Sequence, residues 1–168
     1  MKIQQVDVYT VRLPRHYRVG GHTETPGRLP GTDYYIEPQW VHAYSSVLES
    51  CLVKLTADNG AVGWGEVQAP LTPQTPCALI TTLLGPALLG QEALATSASY
   101  DRLNHLMLAR GHAGSFIVDA MAGLDIALWD LKGRHYRAPL FELLGGPYRR
   151  ELPAYVSGLR VQGLQERI

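Results

Sequence analysis

The sequence predicts an α+β domain in which a small antiparallel sheet is followed by an antiparallel helix cluster. Two observations carry that expectation. Three strand-like runs with a hairpin signal occupy much of the first 66 residues, and residues 115–146 form one long helical segment with apolar side chains on two faces. The chain has 168 residues, 46% of them hydrophobic, enough for one domain with a real core.

The helical segment organises the rest. At about 100° per residue, Ile117, Ala120, Met121, Leu124, Ala127, Leu128 and Leu131 make one broad stripe, and Val118, Ala122, Ile126 and Trp129 a second. Asp119, Asp130 and Arg134 fill the polar strip between them, with Gly123 among them. A surface helix shows a single apolar stripe, so two predict a helix packed between layers. Gly123 admits a close neighbour, at a cost of about 1 kcal/mol against Ala. Lys132, Arg134, His135 and Arg137 crowd the end, where cations complement the helix dipole. Pro139 suits the start of a short helix that Gly145-Gly146 ends.

Residues 1–13 alternate as a strand, with Ile3, Val6, Val8 and Val11 among polar neighbours, until Pro14. Residues 15–44 hold four glycines, three prolines, four tyrosines, one tryptophan and three histidines with no sustained period. A loop of that length is a lid, a binding loop or disordered, and its aromatics argue against plain disorder. Its glycines lack the spacing and following helix of a phosphate loop. Residues 46–56 read as a second strand, Ala57-Asp58-Asn59-Gly60 as a hairpin turn, and residues 61–66 as the returning strand. Residues 68–76 read as a proline-rich loop. Helical spacing follows over 77–89 and again over 97–109, with Leu103, Leu106 and Met107 on one side; residues 110–114 break before the long helix. Residues 152–157 form a short strand run, Gly158 interrupts it, and residues 161–168 start a helix.

Balanced charge, net zero with a pI near 7.0, argues against a nucleic-acid groove or a membrane-surface patch. No apolar run approaches the roughly 20 residues that span a bilayer, and no signal-peptide pattern opens the chain. Cys51 and Cys77 form no C-x-x-C spacing. Cys51 reads as a small core residue, which places the chain in a reducing cytoplasm.

Three features in this order carry a resemblance: Gly63-Trp64-Gly65-Glu66 closing the meander, the segment from Gly123 through Asp125, Trp129 and Asp130 to Gly133, and Pro139 through Leu144-Gly145-Gly146. The chain resembles the N-terminal part of an enolase-superfamily enzyme of the mandelate racemase and muconate-lactonising type. The resemblance implies a capping domain over 1–150 and, over 151–168, the first strand and first helical residues of a (β/α) barrel. Members of that family use barrel-borne carboxylates to hold Mg²⁺ and barrel-borne bases to remove the proton alpha to a carboxylate. A barrel takes roughly 250 residues, so those groups lie beyond Ile168. The chain is therefore expected to be a truncated member, inactive alone, with no catalytic residue and no metal ligand of its own.

By resemblance, the segment around Arg18 to Tyr34 is the first capping loop and 68–76 the second. Arg18, His22, Tyr34 and Thr72 are the candidate lid residues, whose cations and hydroxyls suit an anionic, hydroxylated substrate. His16, His42, Arg28, Tyr35 and Trp40 share the long loop. The bland alternative is that the aromatics pin the loop and the charges are solvated. Glu66 reads as structural, paired with a cation or capping a helix. Asp125 is expected to be paired if buried, and Asp130–Arg134 to be an i,i+4 pair. Arg110 and His112 flank a glycine at a helix break. The intact protein is expected to be a Mg²⁺-dependent lyase or isomerase, an acid-sugar dehydratase or racemase acting on a small hydroxycarboxylate, and a homo-oligomer, with the missing barrel supplied in cis or in trans. The alternative is a non-catalytic interaction module or one half of a two-chain enzyme.

Overall fold

The computed structural model describes residues 1–15, 27–38 and 41–155. Three strands form the principal sheet in the order β1-β5-β6: β1 (Ile3–Pro14), β5 (Val47–Ala57) and β6 (Val62–Val67), all antiparallel. The hairpin signal holds. Gly60 takes φ +82° and its N–H donates to the Ala57 carbonyl at 2.9 Å, so the turn falls where glycine removes the Cβ penalty.

One face of the sheet is the core face. Cys51, Val53, Leu55 and Ala57 of β5 are buried, and Thr10, Val8 and Val6 stand opposite Cys51, Val53 and Leu55. A register shift between Ile3 and Gln5 brings Ile3 onto this same face despite its odd number. Val11, grouped with Ile3, Val6 and Val8 on hydrophobicity alone, is opposite Ser50 and so lies on the other face.

The helical layer covers the core face. It begins three residues earlier than the periodicity predicts. Here α1 (Gln74–Leu79) includes Pro76, which a first turn tolerates, then a π-helical turn (Ile80–Leu84) leads into α2 (Gly85–Leu88). Ile80, Leu84 and Leu88 are fully buried, as is Leu103 of α3 (Thr96–Leu108). Met107 packs against the core, whereas Leu106 stays exposed. The long helix α4 (Phe116–Tyr136) buries its whole first stripe, Ile117 through Leu131.

The second stripe of α4 does not meet a second layer among the described residues. Ile126 is 48% exposed, and Val118 and Trp129 are half-buried. The short helix α5 (Leu140–Leu143) follows, with Pro139 as the residue just before it and Gly145 and Gly146 both at positive φ where it stops. Beyond it, Leu152 to Tyr155 form no strand, contrary to the sequence pattern, and Leu152 is 75% exposed. A strand needs a partner for its backbone groups, and none adjoins this stretch among the described residues. Residues 156–168 lie outside the described residues.

The stretch 15–44, read from sequence as an aperiodic loop, contains a second three-stranded sheet. Its strands are β2 (Gly27–Arg28), β3 (Tyr34–Glu37) and β4 (His42–Ser45) in the order β2-β3-β4. Strands of two to four residues are too short to show a period. Cross-strand stacking of Tyr35 on Tyr44, centroids 5.9 Å apart, helps hold it.

Candidate functional site

The packing of β6 on α4 explains the glycines of the sequence motif. A Cβ on Gly65 would lie 2.0 Å from the Gly123 carbonyl oxygen, and one on Gly63 would lie 2.2 Å from the Ala127 carbonyl oxygen. A Cβ on Gly123 would in turn meet a Val67 methyl at 2.4 Å. Gly123 therefore sits on the buried side of α4, not within the polar strip. The close neighbour it admits is β6. Trp64, between the two glycines, points to the opposite face and lies near Tyr9, with centroids 5.9 Å apart. Its backbone N–H donates to Asp130 Oδ2 at 2.8 Å, and Arg134 Nε donates to the same oxygen at 2.9 Å. The expected i,i+4 pair thus also satisfies a strand-edge donor.

Glu66 accepts a hydrogen bond from the Ser50 hydroxyl at 2.6 Å. Among the described residues its partner is this cross-strand hydroxyl, neither a cation nor a helix end. Asp125 has no ion-pair or hydrogen-bond partner among the described residues, contrary to expectation. Burial alone pushes its carboxyl above the usual aspartate value. Lys132 instead lies over the Trp129 ring, 4.7 Å from its centroid, and reaches the Thr96 hydroxyl at 3.4 Å.

Where β6 ends at Val67, the 68–73 turn begins, and it meets the small sheet. The Thr72 N–H donates to the Tyr34 hydroxyl at 2.9 Å, joining residues 38 apart. Both are candidate lid residues, and the structure brings them together. Arg18 and His22, the other two, lie outside the described residues, as do His16 and Trp40. His42 begins β4 and is exposed, whereas Arg110 and His112 are in the exposed turn between α3 and α4. The small sheet is moored by an ionic cluster that sequence reasoning missed. Arg12 pairs with Asp33, and its Nε also lies 3.4 Å from Glu49 Oε1. Arg28 reaches Asp33 at 3.7 Å. Glu49 is opposite Arg12 in the β1–β5 register, and only that long-range pairing brings the two together. Arg15 Nη1 adds a hydrogen bond to the Ser45 carbonyl at 3.0 Å.

The cysteines also differ from expectation. Cys51 of β5 and Cys77 of α1 form a disulfide across the core face, and the Thr10 hydroxyl reaches Cys77 Sγ at 3.6 Å. Spacing gave no hint because the pairing depends on α1 crossing β5. Among the described residues, no three His, Cys, Asp or Glu side chains are grouped to hold a metal ion. The described residues thus present no convergent oxygens of the kind Mg²⁺ takes. At the other end, Phe141, Leu144, Pro147, Tyr148, Arg149 and Leu152 help line an open groove of about 900 Å³. No helix among the described residues is long and apolar enough to cross a membrane.

These features define a domain of paired loops on a rigid sheet-and-helix base, with an uncovered apolar flank and no catalytic constellation among the described residues. The model of the mandelate racemase / muconate lactonizing enzyme N-terminal domain matches residues 38–145. The chain belongs to that family, as its motifs and enolase-like capping fold implied. It is 38% identical over 107 residues to the D-galactarolactone cycloisomerase of Agrobacterium fabrum, covering 64% of this chain and 27% of that protein. It is 33% identical over 129 residues to the D-galactonate dehydratase of Cronobacter sakazakii, covering 74% of this chain and 29% of that protein.

Among solved structures, a putative isomerase from Sinorhizobium meliloti superposes with a TM-score of 0.84 at 34% identity, over 89% of this chain and 38% of that one. A mandelate racemase/muconate lactonizing protein from Paracoccus denitrificans complexed with magnesium superposes with a TM-score of 0.62 at 29% identity, over 90% of this chain and 32% of that one. The 168 residues thus match between about a quarter and two fifths of the length of these relatives.

Proposed function

We propose that residues 1–150 are the substrate-capping domain of an acid-sugar lyase or isomerase, working over a (β/α) barrel whose first strand begins within 151–168. The observation that carries this reading is the meeting of the small sheet with the 68–73 turn at one end of the principal sheet, through Tyr34 and Thr72. Two segments distant in sequence converge there on a rigid base, the arrangement a lid requires. The uncovered stripe of α4, the exposed Leu140, Phe141 and Leu144 and the adjacent groove offer an apolar surface for the barrel.

In this reading the chain's own residues bind and orient substrate and exclude water. The tyrosine and threonine side chains at the junction of the two loops suit the hydroxyls of a polyhydroxy acid, and Arg18 and His22 its carboxylate. In this reading Mg²⁺ and the proton-moving bases come from the barrel, as the family resemblance implies. The names of the two sugar-acid relatives support the substrate class. The remaining expectations, an assembly of several copies and residence in the cytoplasm, are part of the same proposal, the second no longer resting on a free Cys51.

The test joins residues 1–150 to the barrel portion of the A. fabrum relative and assays an acid-sugar and sugar-lactone panel with Mg²⁺. Turnover that disappears on chelation and returns with Mg²⁺ is expected. A folded, Mg²⁺-loaded fusion that turns over no member of the panel refutes the reading.

A further inference from the structure

We propose that Tyr34 is a positioning residue that locks the two capping segments into one unit by holding Thr72 in a backbone conformation it would not otherwise keep. The inference rests on the capping role and deepens it: the two loops select substrate jointly.

Thr72 has φ +48°. Left-handed backbone is an outlier for a β-branched residue. The following residue is Pro73, and a residue before proline is driven towards extended backbone. Such a conformation persists only where its surroundings over-determine it. Two hydrogen bonds do so here. The Thr72 carbonyl accepts from the Thr75 N–H at 2.9 Å, within its own turn. Its N–H donates to the Tyr34 hydroxyl, the one hydrogen bond that reaches Thr72 from outside that turn among the described residues.

Both ends of this bond are firmly based. Tyr34 begins β3, and the neighbouring Asp33 is tied to Arg12, to Arg28 and, through its carbonyl, to the Ser46 N–H at 2.8 Å. Downstream of Thr72, Pro73 is buried and Cys77 is bonded to Cys51. The turn 68–72 is the compliant part between them. Without the phenolic oxygen, Thr72 relaxes towards extended backbone and residues 68–72 shift, while the sheet and helices remain.

The test is amide hydrogen exchange, residue by residue, on the chain and its Tyr34→Phe variant, together with urea unfolding. Exchange of the Thr72 amide at least tenfold faster in Y34F is expected, with faster exchange confined to 68–72 and 27–37. Amides of β5 and the unfolding midpoint are expected not to change. Unchanged Thr72 exchange overturns the proposal. So does a lowered midpoint with faster exchange spread through β5, the signature of a merely structural tyrosine. Should Y34F fail to fold, the unmodified chain decides: a Thr72 amide exchanging at the unprotected rate overturns the latch, and a protected one supports it. No substrate or barrel enters this measurement, so its failure leaves the capping role standing, and failure of the barrel fusion leaves the latch standing.

Discussion

Replacing Gly65 by Ala tests the idea that close approach of β6 to α4 sets this fold. The added Cβ falls 2.0 Å from the Gly123 carbonyl oxygen and 2.8 Å from the Ala127 nitrogen, both backbone atoms. No rotamer change relieves them, so α4 must move away by on the order of 1 Å to restore van der Waals contact. A gap of that size forfeits a quarter to a half of the dispersion well along the face where Leu124, Leu128 and Leu131 are fully buried. Overpacking costs about 1–3 kcal/mol even when side chains can yield, so a backbone obstacle puts the loss near 3 kcal/mol. For a domain of this size that corresponds to a melting point about 6–12 °C lower. Urea unfolding followed by far-UV circular dichroism measures it. The control is Gly114→Ala, whose Cβ meets nothing within 4 Å and whose change is expected to stay within about 0.5 kcal/mol. If G65A is as mild as G114A, the close-packing account is wrong.

Two further perturbations follow from the same structure. Burial raises the Asp125 carboxyl above its unfolded value of 3.8. The charged form is thus disfavoured on folding, so the contribution of Asp125 to stability is fullest below pH 3.8 and is lost as pH rises through the higher folded value. Asp125→Asn is therefore expected to stabilise the chain at pH 7 and to lose that advantage at acid pH. A gain that grows on acidification would contradict the assignment. The Cys51–Cys77 bond closes a 26-residue separation, worth about 3.5 kcal/mol in the chain-entropy description. Reduction, or a double Cys→Ala variant, is expected to lower unfolding stability by about that amount. Thiol titration of the unfolded chain without reductant checks the bond directly, and two free thiols would refute it.

The candidate site was half legible. Tyr34 and Thr72 could be picked out because hydroxyls in the two segments matched to capping loops suit a sugar acid, but nothing in either segment indicated that they touch. The mooring cluster of Arg12, Asp33, Arg28 and Glu49 was invisible for the same reason. Its members come from β1, β2, the turn before β3 and β5, and converge only once those strands pair. Asp125 was read as a paired charge because burial without a partner is costly. Its half-exposed position on the uncovered flank of α4 lets it go unpaired.

The sequence by itself determined what neighbouring residues decide. The Asn59-Gly60 turn, the strand alternation around it, the α4 stripes and the glycine stop after α5 each depend on dihedral preference and side-chain period within a few residues. Tertiary structure decided what depends on closing long loops. It set which glycines meet (Gly65 with Gly123), which cysteines pair and which face of β1 Val11 occupies. It also left the second stripe of α4 uncovered among the described residues. Those outcomes turn on where a backbone 20 to 80 residues away arrives, and a hydroxyl such as that of Tyr34 acquires its role only when the Thr72 N–H has been brought to it.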